Sequence, residues 1–108
     1  MYIPDRGDII WLDFEPSVGK EITKRRPAYV VSRKAFNEHT RFALVAPITS
    51  TVRNVRLEVV LEGTKTEGAI LSYQTKSFDF EHRQATFIEK APEAIITAMT
   101  QIMQVIVR

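Results

Sequence analysis

The sequence predicts a mainly β domain with one helix added at its C-terminus, a small barrel-like sheet of five to seven strands. Three observations carry that expectation. Short runs of β-branched and aromatic residues follow one another along most of the chain. Glycine, proline and polar breaks separate them at close spacing. The tail then changes to a helical period. A chain of 108 residues fits one domain, 1–108, and leaves no room for a second.

The first strand is predicted over Gly7-Asp8-Ile9-Ile10-Trp11-Leu12-Asp13-Phe14 and is ended by Glu15-Pro16. A polar loop, 17–26, follows it. Pro27-Ala28-Tyr29-Val30-Val31-Ser32 and Phe42-Ala43-Leu44-Val45-Ala46-Pro47-Ile48-Thr49 read as buried strands. The break at 33–40 is predicted to hold a helical turn capped by Ser32. Val55-Arg56-Leu57-Glu58-Val59-Val60-Leu61 alternates as a half-buried strand does. Gly63 and Gly68 then punctuate a turn before a strand over Ala69-Ile70-Leu71-Ser72-Tyr73-Gln74. A last short strand is expected at 83–88. In 92–107, Ile95, Met99, Ile102 and Ile106 recur at helical spacing, flanked by Ile96 and Met103. Glu93, Thr97, Thr100, Gln101 and Gln104 fall on the opposite face, and Pro92 suits a first helical turn.

The composition, 44% hydrophobic and 26% charged, is that of a soluble globular protein. With no cysteine, a disulfide framework and a thiolate metal site are both excluded. No signal-peptide pattern opens the chain and no apolar run reaches membrane-span length, so a cytoplasmic location is expected. The formal charge of +2 is unevenly spread. Lys20, Lys24, Arg25, Arg26, Arg33 and Lys34 face only Glu21 across 20–34, a local +5, so the remainder sums to −3. A basic patch on a neutral-to-acidic body fits a nucleic-acid site, and it fits a solvated loop as well.

If the patch receives RNA, metal-free cleavage there would need a base for the 2′-hydroxyl, an acid for the leaving 5′-oxygen and donors for the phosphorane. The two histidines, His39 and His82, read as surface residues in polar turns with no spacing that joins them. Scattered carboxylates and the absence of a His-x-x-x-His or Asp-rich cluster predict no metal site and no cofactor. The stronger constellation is Glu21, Arg25 and Arg26 on the first loop with Thr49 and Ser50 at the end of the third strand. Arginine presents a planar fork of donors to a phosphate, and neighbouring hydroxyls can donate to its non-bridging oxygens. The same residues also suit a strand opening at Arg-Arg-Pro and a turn cap at Thr-Ser.

These residues carry a resemblance. Segments 4–16 and 19–21, Arg26-Pro27-Ala28-Tyr29-Val30-Val31-Ser32, Ala46-Pro47-Ile48-Thr49-Ser50 and Gln74-Thr75-Lys76-Ser77 make the chain resemble the MazF/PemK (Kid) family of toxin endoribonucleases over nearly its whole length. The resemblance implies an SH3-like barrel, the CcdB/MazF-like toxin fold, and a homodimer. It also implies cleavage of single-stranded RNA to 2′,3′-cyclic phosphate and 5′-hydroxyl ends. Arg26 and Thr49 match the family's catalytic arginine and threonine, and Glu21 matches an acidic position near the active site. Arg25 falls where some relatives place a histidine, and Phe14 and Gln74 match RNA-contacting positions. Lys20, Ser50 and Lys76 complete the expected RNA surface. Two departures touch the expected groove: 50–56 lacks the relatives' glycine-rich or aromatic loop, and Tyr73 replaces a frequent acid.

Arginine stays protonated far above neutral pH, so Arg26 suits a proton donor or an electrostatic clamp better than a base. Glu21 is a candidate base, and the assignment stays open at this point. An antitoxin with a disordered acidic tail is the expected partner, drawn to the +5 segment. Two rivals share the fold. A gyrase poison of the CcdB kind carries a tail ending in tryptophan and small residues, whereas this chain ends Gln104-Val105-Ile106-Val107-Arg108. A non-catalytic SH3-like nucleic-acid module would explain the basic patch but not the joint match of Arg26, Thr49 and Glu21.

Overall fold

A computed structural model describes residues 1–14 and 25–108. Seven strands form one connected sheet: β1 (Asp8–Asp13), β2 (Arg25–Val30), β3 (Ala43–Thr49), β4 (Glu58–Val60), β5 (Ala69–Leu71), β6 (Lys76–Phe78) and β7 (Thr86–Lys90). Helix α1 (Lys34–Thr40) lies between β2 and β3, and α2 (Glu93–Val107) closes the chain. The strand order is β4-β5-β3-β2-β1-β7, with β6 added on β3. Every pairing is antiparallel.

Strand β3 bends the sheet. Its first part pairs with β2 and β6, while Ile48 and Thr49 pair with Ile70 and Ala69 of β5. Successive side chains in a strand point to opposite faces. Ile9 accordingly enters one core with Tyr29, Ala46, Ile48, Ile70, Ile95 and Met99. Ile10 and Leu12 enter another with Ala28, Val30, Val45, Phe78 and Phe80. Burial on both faces explains why β1 to β3 read as near-continuous apolar runs.

Helix α2 covers the first core with Ile95 and Met99, each contributing roughly 1.5–3 kcal/mol by removal from water. The apolar stripe reaches further along the sequence than the sheet does beneath it. Ile102 and Met103 are half-buried, and Ile106 is 44% exposed rather than inward-facing as its spacing predicts. Pro92 is the extended N-cap of this helix, one position before the first turn. Asp8, in the opening Gly-Asp, is structural: it is buried, accepts bonds from Tyr2 Oη and the Asp5 amide, and pairs with Lys90 Nζ at 2.8 Å.

Several expectations are corrected. Arg25 and Arg26 belong to β2, not to the preceding loop, because they extend the ladder opposite Asp13 and Leu12. Ser32 does not cap α1. Arg33 is the N-cap residue, while Ser32 Oγ donates to Asn37 Oδ1 and accepts from the Leu44 amide, tying α1 to β3. Residues 55–57 are not strand, and Ser72–Gln74 form a single 3₁₀ turn that separates β5 from the unforeseen β6. The final strand begins at Thr86, because Gln84 has the positive φ of 55° that a turn requires.

Candidate active site

The cleft forms where β2 and β3 part. Their register runs Val30 to Val45, Tyr29 to Ala46 and Ala28 to Pro47, and there it stops. Pro27 lacks an amide hydrogen, so opposite Trp11 it can hold only a non-hydrogen-bonded position of the β1–β2 ladder. The place of its missing donor is therefore on the β3 side, where pairing ends. Carried two residues further, the register sets Thr49 opposite Arg26. In place of ladder bonds there is a cleft of about 350 Å³ lined by Arg25, Arg26, Pro27, Ile48, Thr49, Ser50, Thr51 and Glu67.

Four of the residues singled out from the sequence thus converge: Arg25, Arg26, Thr49 and Ser50. Arg26 is exposed and makes no side-chain hydrogen bond or ion pair among the described residues. Nothing among those residues occupies its fork. Arg25 is different. It donates to Asp13 Oδ1 at 2.8 Å, to the Gln84 carbonyl at 2.6 Å and to Thr86 Oγ1, binding β2 to β1 and the start of β7. Its charge lines the cleft while its fork is largely occupied. Thr49 Oγ1 accepts the Thr51 amide at 3.1 Å, which orients the hydroxyl and leaves its proton free to donate.

The other expected RNA contacts lie elsewhere. Phe14 packs edge-on against Phe78, with ring centroids 5.2 Å apart, and Lys76 and Arg83 stand over the Phe78 ring. Gln74 is exposed at the end of the 3₁₀ turn. Lys20 and Glu21 lie outside the described residues. His39 and His82 are exposed and line no part of the cleft; His82 Nδ1 is 2.7 Å from Asp79 Oδ2. Among the described residues no group of three or more His, Asp or Glu side chains could hold a metal ion. No helix among them is long and apolar enough to cross a membrane.

Sequence reasoning missed Glu67, the cleft's carboxylate. It sits on the turn between β4 and β5, and that turn is fixed from three sides. Glu89 of β7 accepts the Lys65 amide at 3.0 Å, the Thr66 amide at 2.9 Å and Thr66 Oγ1 at 2.8 Å. Thr64 Oγ1 donates to the Thr66 carbonyl, and the Leu61 amide donates to the Gly68 carbonyl. Gly68, at φ +127°, lies so close to Thr49 that an added Cβ would stand 2.1 Å from its carbonyl oxygen.

Burial alone would raise the Glu89 pKa, but the bonds from Lys65 and Thr66 outweigh it and hold the carboxyl below its ordinary value. A lowered folded pKa stabilises above the unfolded value, about 4.3, and this contribution fades as pH falls through the folded one. Thermal melts of wild type and Glu89→Gln should therefore differ at pH 7 and converge toward pH 3. A constant difference across that range would remove Glu89 as an acid-sensitive anchor of the turn.

A guanidinium without a partner among the described residues, in one cleft with the oriented Thr49 hydroxyl, suits a phosphoester ligand. A family model described as the PemK-like, MazF-like toxin of type II toxin–antitoxin systems matches residues 5–107, and the chain belongs to that family. It is 41% identical over 85 residues to the endoribonuclease toxin MazF of Escherichia coli K12, covering 79% of this chain and 77% of that protein. It is 32% identical to the endoribonuclease PemK of Escherichia coli, covering 85% and 73%. The crystal structure of a MazE–MazF complex from Deinococcus radiodurans superposes with a TM-score of 0.90 at 31% identity, covering 98% of this chain and 96% of that one. The fold expected from the resemblance is thus borne out.

Proposed function

We propose that this toxin endoribonuclease cuts single-stranded RNA at the β2–β3 cleft without a metal ion, leaving a 2′,3′-cyclic phosphate and a 5′-hydroxyl. The observation that carries the reading is Arg26, without a partner among the described residues, lining one cleft with Thr49 where the ladder ends. Arg26 clamps the two equatorial oxygens of the phosphorane, and Thr49 and Ser50 donate to the same charge. Arg25 adds field and braces the strand. Phe14, Lys76 and Gln74 offer stacking, charge and an amide to flanking nucleotides. Lys20 extends the basic segment, and Glu21 is one candidate proton acceptor.

Incubating the pure protein with a long RNA in EDTA and mapping the ends tests this directly. Intact RNA, or products bearing a 5′-phosphate, would overturn it. The gyrase-poison and non-catalytic readings both predict intact RNA.

The chain acts in the cytoplasm as a homodimer restrained by an antitoxin with an acidic tail. The exposed Val105, Ile106 and Val107 at the end of α2 favour pairing with a second copy. The relative from Deinococcus radiodurans is a MazE–MazF complex, which supports the antitoxin. Light scattering at the 12.4 kDa mass of one chain would count against the dimer.

A further inference from the structure

Cleavage by the 2′-hydroxyl needs a proton acceptor, and most of the cleft cannot supply one. Guanidinium groups hold their protons throughout the working range, and the Thr49, Ser50 and Thr51 hydroxyls are weak bases. Among the described residues lining the cleft, Glu67 alone carries a carboxylate. It is exposed and makes no ion pair or side-chain hydrogen bond among the described residues, so its oxygens are free to accept.

Its placement is built. The turn that carries it is held by the three bonds to Glu89, and its Gly68 neighbour is pressed against the Thr49 carbonyl. Ala69, two residues on, pairs with Thr49 itself. The backbones that carry Glu67 and Thr49 therefore meet at one junction on the cleft wall. The charged groups around it are Arg25 and Arg26 from β2, Lys65 on its own turn and Glu89 from β7, whose oxygens are engaged by that turn. A rigid backbone holds the base of the side chain at the cleft, within reach of a bound substrate.

We infer that Glu67 is the general base that activates the 2′-hydroxyl, an assignment that rests on the ribonuclease reading above. The 2′-O–H bond breaks and its proton passes to the Glu67 carboxylate. The oxygen's electron pair forms the bond to phosphorus. The bond from phosphorus to the 5′-oxygen breaks, that oxygen leaves with the pair, and it takes a proton from water. Glu67 returns its proton to solvent.

The test is single-turnover cleavage of a labelled oligonucleotide in EDTA across a pH series, with binding followed on an uncleavable 2′-deoxy analogue. Glu67→Gln should bind within a few-fold of wild type but cleave on the order of 10²-fold more slowly or worse. Its rate should also lose the rise with pH on the acidic side. Glu67→Asp should keep that rise at a reduced rate, which a purely structural role would not produce. The inference is overturned if Glu67→Gln retains both rate and acidic limb. It is equally overturned if Glu21→Gln alone loses them. A wild-type protein that leaves RNA intact overturns the ribonuclease reading itself, whereas an active wild type with an unimpaired Glu67→Gln removes only this assignment.

Discussion

Replacing Arg26 by lysine should slow single-turnover cleavage by about 10²–10³, with RNA binding reduced far less. Lysine keeps the charge but not the planar fork, so one ammonium cannot hold two phosphorane oxygens at once. Arg26 has no partner in the fold among the described residues, and its loss should leave the melting temperature almost unchanged. Arg25→Lys should behave in the opposite way. It breaks the bonds to Asp13, Gln84 and Thr86 and should cost stability along with activity. Thr49→Ala should lower turnover with little effect on binding, and Thr49→Ser should restore much of it. Near-normal cleavage by both Arg26→Lys and Thr49→Ala would move the chemistry out of this cleft.

Gly68→Ala should be strongly damaging although it touches no reacting group. The backbone lies at φ +127°, which costs a side-chain-bearing residue about 1–3 kcal/mol. The new methyl would also meet the Thr49 carbonyl oxygen, a backbone atom that cannot swing aside as a flexible side chain would. Overpacking of that kind costs about a further 1–3 kcal/mol. A fall in melting temperature of roughly 10 °C or more is expected. Cleavage at a temperature where the variant is fully folded should still be reduced, because the displaced junction carries both Thr49 and Glu67. A wild-type melt with a wild-type rate would show that the turn gives way without disturbing the cleft.

The elements that the sequence made legible are those long enough to show an apolar run or a period. β1 and α2 announce themselves through Ile9 to Leu12 and Ile95 to Met99. β6 spans only Lys76–Phe78 and carries no alternation of its own. The end of α2 misled for a different reason: spacing defines an apolar face, but only the sheet's extent decides how much of it is covered. For the site, Arg26 and Thr49 were each recognisable from their segments, yet their opposition is a matter of β2–β3 register. Arg25 shows the limit most clearly. Its partners Gln84 and Thr86 lie 59 and 61 positions away, and no local pattern predicts that its fork is engaged. Glu67 sits in an ordinary Lys-Thr-Glu-Gly turn, and only the approach of Gly68 to Thr49 gives it significance.

The two prolines at the end of the β2–β3 ladder bear on how other chains can approach. Unpaired strand margins commonly recruit a further strand, either from a binding peptide or from a neighbouring copy in aggregation. Such zippering needs amide donors in register, and Pro27 has none on the margin that faces the cleft. An extended polypeptide adding itself there as a strand would lose the ladder bond at Pro27. Side chains that satisfy Arg26, as a carboxylate does, are then the stronger means of holding it in the cleft. The gap thus favours anions over β-augmentation, and an acidic inhibitor held there by charge should be released by salt.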